Sequence, residues 1–310
     1  MITRDGNITS LFFIINPQAG KGNYQNIIDI IDQTLGYSEI RYDFCISEGK
    51  DHAISMSREV SSEYSAVVAV GGDGTINGVL NGIVGSECAF GILPAGTGNG
   101  FARQMGIPVD PEEACEILKK GAVVEMDIGE VNGRYFLNTA GVGFDAMISK
   151  FSGETFGPLR GMWLYFATGF LAFIKYLPPL VDIDIDSEKV QFKPLLISVT
   201  NTGRYGGEAL VVPGALPDDG FLDVCVIQKI NILRLLYNLP KLFTGEHIEL
   251  PYVHVYRGNS ISINSIKPLP AHVDGEAIGE YSEIVFKTIP KALKVIVPDK
   301  KDKGIRVSQE

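Results

Sequence analysis

Three glycine-rich segments carry the residues most able to do chemistry: Asn16-Pro17-Gln18-Ala19-Gly20-Lys21-Gly22, Gly71-Gly72-Asp73-Gly74-Thr75 and Gly96-Thr97-Gly98-Asn99-Gly100-Phe101. Each follows a short apolar run. A glycine loop between a strand and a helix points main-chain N–H groups at one spot, and the helix N-terminus adds positive potential, so such loops favour phosphate. The first is not a Walker A loop, because Ile15 and Gly22 stand where Gly and Ser or Thr belong. The third is not a dinucleotide fingerprint, because its sixth position is Phe101. In the second loop Asp73 is the odd residue. A carboxylate repels phosphate unless Mg²⁺ lies between them or it caps a helix, and both readings are open on the residues alone.

The elements that must position these loops alternate in kind over the first 130 residues. Leu11–Asn16, Tyr42–Ile46, Ala66–Val70 and Phe90–Leu93 read as short buried strands; Tyr24–Leu35, Asp51–Ser61 and Ile76–Ile83 have helical spacing. That order predicts a parallel α/β sheet, with the loops after Asn16, Val70 and Leu93 converging at the carboxyl ends of the strands. Asp110-Pro111-Glu112-Glu113 opens, and Lys119-Lys120-Gly121 closes, a helix with cap, first-turn proline and complementary end charges. Beyond Val131 the texture turns to strands: Tyr135–Ala140, Val181–Ile185, Leu195–Thr200, Phe221–Ile227, Ser260–Ile263 and Ala292–Val297, with a helical insertion at Met162–Tyr176 stopped by Pro178-Pro179. The chain therefore divides into an N-terminal α/β domain and a mainly antiparallel β domain.

The composition agrees with a globular chain: 310 residues, 45% hydrophobic, 21% charged. A net charge of −10 argues against a nucleic-acid partner, which needs a basic face. Four scattered cysteines, Cys45, Cys88, Cys115 and Cys225, with no C-x-x-C pair, suit a reduced cytoplasmic chain and are expected to be buried or inert. Gly161 to Ile174 is too short between Arg160 and Lys175 to span a bilayer, so no transmembrane segment is expected. Its aromatic content, Trp163, Tyr165, Phe166, Phe170, Phe173 and Tyr176, suits either a buried helix or a lipid-facing one. The basic tail from Asp299 reads as solvated or as touching anionic lipid.

The order of motifs resembles the diacylglycerol kinase catalytic family, which includes sphingosine, ceramide and bacterial lipid kinases. The resemblance runs through the three loops, Asp127-Ile128-Gly129, Asn138-Thr139-Ala140-Gly141, Asn201-Thr202-Gly203-Arg204, Leu216-Pro217-Asp218-Asp219-Gly220-Phe221 and Asp274-Gly275-Glu276. The GGDGT loop alone is shared in similar form with NAD kinases and phosphofructokinases; the later motifs select the lipid branch. The resemblance implies a three-layer parallel-sheet ATP-binding domain over residues 1–130, completed by about 290–310, and an antiparallel β-sandwich lipid-substrate domain over 131–289, with ATP in the cleft between them. It places ATP on Asn16, Pro17, Gln18, Ala19 and Gly20, on Ser47 where the family usually has Thr, on Gly71, Gly72, Asp73, Gly74, Thr75, Ile76 and Asn77, and on Thr97. Mg²⁺ would be held by Asp219 and the carbonyls of Leu216 and Phe221.

The same resemblance makes Glu276 the general base that deprotonates the hydroxyl of diacylglycerol or a similar lipid alcohol, with Asp73 holding the catalytic Mg²⁺ and His272 a lesser base candidate. It also implies work at the membrane surface, peripheral to its inner face, and a homodimer. Two positions depart from the family pattern: Gly78 stands where Glu is common, and Gly100 where Asp is common. Gly74, Gly78 and Gly82 would form a smooth helix stripe. An NAD-kinase-like soluble-substrate kinase and a non-catalytic nucleotide- or lipid-binding homologue are the alternatives.

Overall fold

The computed structural model describes residues 2–3, 8–96, 99–144, 146–147, 173, 176–205 and 209–299. Two compact units emerge: Met1–Ile128 with Leu216–Gly220 and Ile289–Glu310, and Gly129–Ala215 with Phe221–Thr288. The helical insertion at 162–176 is described only at Phe173 and Tyr176. The basic tail beyond Asp299 and Thr97 of the third glycine loop also lie outside the described residues.

In the first unit β2 (Ser10–Ile15) lies between β3 (Arg41–Ile46) and β4 (Ala66–Gly71), and β4 pairs with β5 (Ala89–Pro94), all parallel. The end of β17 (Glu276–Val297) adds a further parallel partner to β5 through Lys294 and Val295. β4 and β5 are buried at every position, as the continuous apolar runs require of strands covered on both faces. The helices α2 (Tyr24–Leu35), α3 (Lys50–Val60), α4 (Asp73–Ile83), α5 (Gly100–Gln104) and α6 (Pro111–Lys120) fill the crossovers. α6 has the predicted N-cap: the Asp110 carboxylate accepts from the N–H groups of Glu112 and Glu113. Ala19–Gly22 (α1) is a single turn in which Gly20 and Lys21 are left-handed.

α4 packs on α3 through two of its three spaced glycines. A Cβ on Gly78 would meet the Ala53 Cβ at 3.3 Å, and one on Gly82 would fall 1.8 Å from Ser57 Oγ. At Gly74 a Cβ would meet nothing within 4 Å. The stripe is therefore a close helix crossing at Gly78 and Gly82 only, tight at Gly82 and closer to ordinary contact at Gly78.

The second unit is antiparallel. β11 (Pro194–Thr200) lies between β14 (Leu222–Gln228) and β8 (Thr139–Gly143); β14 continues to β15 (Val253–Gly258) and β8 to β16 (Ser260–Val273). The first half of β16 pairs instead with β9 (Val181–Ile185), which pairs with β10 (Glu188–Phe192). A register shift between Asn264 and Leu269 separates the two halves, so one long strand serves two layers, as in a sandwich. Val181, Ile183 and Ile185 on one layer and Ile197, Val199, Val224 and Val226 on the other share one core. The parallel sheet followed by an antiparallel sandwich is the architecture expected from the sequence.

The predicted strand Tyr135–Ala140 is broken in two, β7 (Arg134–Phe136) and β8. The reason is electrostatic: the N–H groups of Leu137, Asn138 and Thr139 turn onto the carboxylate of Asp274, so the ladder cannot continue there. Three of the cysteines are buried, Cys45 is half-buried, and all four are free thiols. Burial pushes Cys45 and Cys88 up to about 11 and Cys115 and Cys225 up to about 12, which keeps them protonated at neutral pH.

Candidate active site

The three glycine loops of the first unit converge at the carboxyl ends of β2, β4 and β5. Asn16 ties the first to the second: its Nδ2 donates to Thr75 Oγ1 at 3.0 Å, its main-chain N–H donates to Val70 O, and its Oδ1 accepts from the Gln18 N–H. Gly20 N–H donates to Ala95 O, which joins the first loop to the third. Ala95 N–H donates to Gly71 O, and Gly100 N–H to Asp73 Oδ1, which joins the third to the second. Gly72 and Gly96 meet backbone to backbone: a Cβ on Gly96 would lie 2.4 Å from the Gly72 Cα, so no other residue fits there.

Around this junction lies a cavity of about 630 Å³, lined by Asn16, Gln18, Ala19, Gly20, Gly71, Gly72 and Gly96, with Ile27, Val109 and Pro111 as its apolar wall. Its size suits a small molecule, and its walls combine main-chain groups with an apolar side, as a nucleotide requires. Asn99, left-handed at φ 53, closes the third loop: its Oδ1 accepts from Gly96 N–H and its Nδ2 donates to Gly96 O. Ser47 is buried at the end of β3, its N–H donating to Ile15 O. Ile76 and Asn77 are buried within α4. The N-cap of α4 is Gly72, not Asp73. Asp73 stands in the first turn of that helix with its carboxylate on the third loop.

Leu216–Gly220 is joined to the first unit by Asp127, which is 1% exposed. Asp127 N–H donates to Pro217 O, its Oδ2 accepts from Gly220 N–H, and its Oδ1 accepts from Lys291 N–H at 2.7 Å. One buried carboxylate thereby clamps the Asp-Asp-Gly loop and the returning C-terminal strand. Oδ2 of Asp219 and Oδ1 of Asp218 are secluded from solvent. Among the described residues no three His, Cys, Asp or Glu side chains are grouped to hold a metal. What residues 216–219 offer is a carboxylate beside main-chain carbonyls, a hard all-oxygen donor set that fits Mg²⁺ and not a thiolate- or imidazole-seeking metal.

In the second unit Glu276 is exposed and opens β17 after a tight turn made by Asp274 (φ 47) and Gly275 (φ 87). The turn is anchored: Asp274 Oδ1 accepts from Asn138 and Thr139 at 3.0 and 3.1 Å, Oδ2 from Leu137 at 3.1 Å, and Asp274 N–H donates to Thr139 O. His272 is fully buried with Nδ1 accepting from Gly275 N–H, a structural place. The Asn138 and Asn201 motifs form one buried network. Thr202 Oγ1 donates to Asn138 Oδ1, Thr200 Oγ1 to Asn138 O, and Asn201 Nδ2 to Leu137 O.

These motifs match known sequences over their whole span. The diacylglycerol kinase catalytic domain matches residues 10–131, and the YegS C-terminal NAD kinase beta sandwich-like domain matches residues 138–297. Among curated proteins, the diacylglycerol kinase of Staphylococcus carnosus is 30% identical over 279 residues, covering 86% of this chain and 88% of its own. The chain belongs to the diacylglycerol kinase family. A second relative, the diacylglycerol kinase of Staphylococcus saprophyticus, is 30% identical over 295 residues, with 92% and 94% covered. A solved diacylglycerol kinase from Bacillus anthracis shares the fold at a TM-score of 0.76 and 21% identity, covering 94% of this chain and 98% of that one.

Within this diacylglycerol kinase family member, Leu216 and Asp219 belong to the first unit, whereas Phe221 and Glu276 belong to the second. Two anchoring residues had no role in the sequence reading: Asp127 and Asp274. Asp274 sits in an Asp-Gly turn signal and Asp127 precedes an Ile-Gly, but no spacing rule shows that each would accept two or three main-chain N–H groups. Among the described residues no helix is long and apolar enough to cross a membrane.

Proposed function

We propose that this chain transfers the γ-phosphate of ATP to the hydroxyl of diacylglycerol or a similar long-chain lipid alcohol. Family membership makes it a lipid kinase. The observation that carries the nucleotide assignment is the interlocking of three glycine loops around one cavity of about 630 Å³. We assign ATP to residues 1–130 with 290–310, on Asn16–Gly20, Ser47, Gly71–Asn77 and Thr97, and the lipid to residues 131–289.

Phosphoryl transfer is mostly positioning and charge stabilisation. The loops Asn16–Gly20 and Gly71–Thr75 orient the phosphates with main-chain N–H groups and the α4 N-terminus. Asp73 would hold the catalytic Mg²⁺, and Asp219 with the carbonyls of Leu216 and Phe221 would hold a Mg²⁺ as well; bound there, the metal would neutralise charge on the phosphates. Glu276 accepts the proton of the lipid hydroxyl as that oxygen forms its bond to the γ-phosphorus. The bond from the γ-phosphorus to the bridging oxygen breaks and ADP leaves. Asp274 holds the turn that carries Glu276. The Asp274 carboxylate accepts three main-chain N–H groups, which ties that turn to Leu137–Thr139.

The test is transfer of labelled phosphate from ATP to a panel of lipids in mixed micelles, with Asp73→Ala and Glu276→Ala alongside. Loss of turnover in both is expected; untouched turnover in both overturns the site assignment. Tight ATP binding with no turnover on any lipid would instead identify a non-catalytic nucleotide sensor. Phosphorylation of NAD and of no lipid would identify the soluble-substrate branch.

A further inference from the structure

Among the described residues, the second unit presents a helix whose outer face is apolar and exposed. α7 (Ile232–Asn238) is well formed, with the Asn231 side chain accepting from the Arg234 N–H, and through Pro240 it leads into α8 (Lys241–Thr244). Neither helix contains a buried residue. Ile232 and Leu235, one turn apart, pack on the Phe144, Phe173 and Leu195 cluster. Leu233, Leu236 and Tyr237, spaced to share the other side, are 76%, 56% and 82% exposed, and Leu239 and Phe243 beyond them are 45% and 53% exposed. Single exposed apolar residues are ordinary; five within eleven positions of one surface segment are not.

Charge says what covers this face. The chain carries −10 overall, yet between Asp223 and Glu246 there is no Asp or Glu, while Lys229, Arg234 and Lys241 are present. Arg234 is exposed and Lys241 half-exposed, flanking the apolar residues; Lys229 is turned inward over the Phe173 ring at 3.7 Å. An apolar face with Leu and Tyr, edged by cations and with no acidic residue on either helix, matches a bilayer interface, the exposed Glu246 and Glu249 lying beyond it in the following turn: the side chains enter the acyl boundary, Tyr sits at headgroup level and the cations meet anionic lipid. A second copy is the poorer match, because a two-fold interface centred here would set Arg234 and Lys241 against their own images.

We propose that Leu233, Leu236, Tyr237, Leu239 and Phe243 form the surface by which this unit docks on a bilayer containing anionic lipid. The inference rests on the lipid-kinase reading for its purpose, since docking presents the unit to a substrate that does not leave the membrane. It does not depend on that reading for its measurement.

The experiment is co-sedimentation of the full chain with vesicles of phosphatidylcholine, with and without phosphatidylglycerol, in the absence of ATP. Two double variants, Leu236→Ser with Tyr237→Ser and Arg234→Glu with Lys241→Glu, are compared with the parent. The parent is expected to bind the phosphatidylglycerol vesicles preferentially. Each pair of substitutions is expected to lower partitioning about tenfold or more. Because these side chains are exposed, the melting temperature should stay that of the parent. Unchanged partitioning in both variants, or no binding by the parent, overturns the proposal. So does a dimer in analytical ultracentrifugation that the variants dissociate without any change in vesicle binding. Phosphorylation of a short-chain diacylglycerol in free solution separates the two readings. If it fails while vesicle binding behaves as expected, the kinase reading falls and the docking surface stands.

Discussion

Asp73 Oδ1 accepts the main-chain N–H of Gly100 at 3.1 Å, so the central acid of the second glycine loop also holds the start of α5 on the third. This divides its work into two parts that substitution can separate. Asparagine keeps an oxygen for the Gly100 N–H but loses the charge; alanine loses both. Asp73→Asn is expected to leave thermal stability near that of the parent, and Asp73→Ala to lower it by about 1 kcal/mol. Both should lose phosphotransfer if the charge serves Mg²⁺. Urea unfolding with a labelled-ATP assay reads the two effects. An active Asp73→Asn would remove the metal from the proposal.

The α3–α4 crossing predicts a graded series at its glycines. At Gly82 an added methyl would strike Ser57 and the Ile54 carbonyl, whereas at Gly78 the nearest atom is the Ala53 methyl at 3.3 Å. Gly82→Ala is expected to cost about 2 kcal/mol or more by overpacking. In Gly78→Ala a slight steric cost opposes a helix-propensity gain of about 1 kcal/mol, for a net change near zero. Denaturant midpoints check both. A neutral Gly82→Ala would show that α3 can move away.

Asp274 and Glu276 are two residues apart and should behave oppositely. Glu276 is exposed, so Glu276→Gln is expected to leave the melting temperature unchanged and to abolish transfer to the lipid without weakening ATP binding. Asp274→Ala strands three main-chain N–H groups and is expected to destabilise the fold by about 2 kcal/mol or more, with loss of activity following the loosened turn. Calorimetry alongside single-turnover kinetics distinguishes them.

Alkaline pH should unfold the protein through its thiols. Burial disfavours the thiolate and pushes Cys115 and Cys225 up to about 12 in the folded chain, from an ordinary thiol value of 9.0. A raised folded-state value means the stabilisation is complete below pH 9 and is lost as pH rises from there towards 12. Denaturant midpoints should therefore fall across that window, and the fall should shrink in a Cys115→Ala, Cys225→Ala double variant compared with its own neutral-pH value. A thiol reagent at neutral pH should label Cys45 first, the one cysteine that is only half-buried.

Much of this was legible in the chain itself. The apolar runs at β2, β4 and β5 and the amphipathic spacing of α2 state a covered parallel sheet, because buried strands and one-sided helices each leave a periodic trace. Asp110-Pro111 announced α6 because capping is local: the carboxylate and the N–H groups that it accepts are neighbours in sequence. That the three glycine loops meet also followed from topology, since parallel strands place their carboxyl ends on one edge.

What tertiary structure alone decided are the long-range uses of carboxylates and the fate of apolar surface. Asp127 meets Gly220 across 93 positions and Asp274 meets Asn138 across 136, and no period or spacing encodes such a partner. The strand at Tyr135–Ala140 is split for that reason: alternation predicts a ladder, but not that a distant acid will take its N–H groups. Likewise only the folded chain shows that Ile232–Phe243 has one side packed and the other exposed. Local hydrogen bonding and periodic burial are written along the sequence. A charge or an apolar face that finds its partner far away is decided by the fold, because the energy of that contact depends on positions the sequence order does not adjoin.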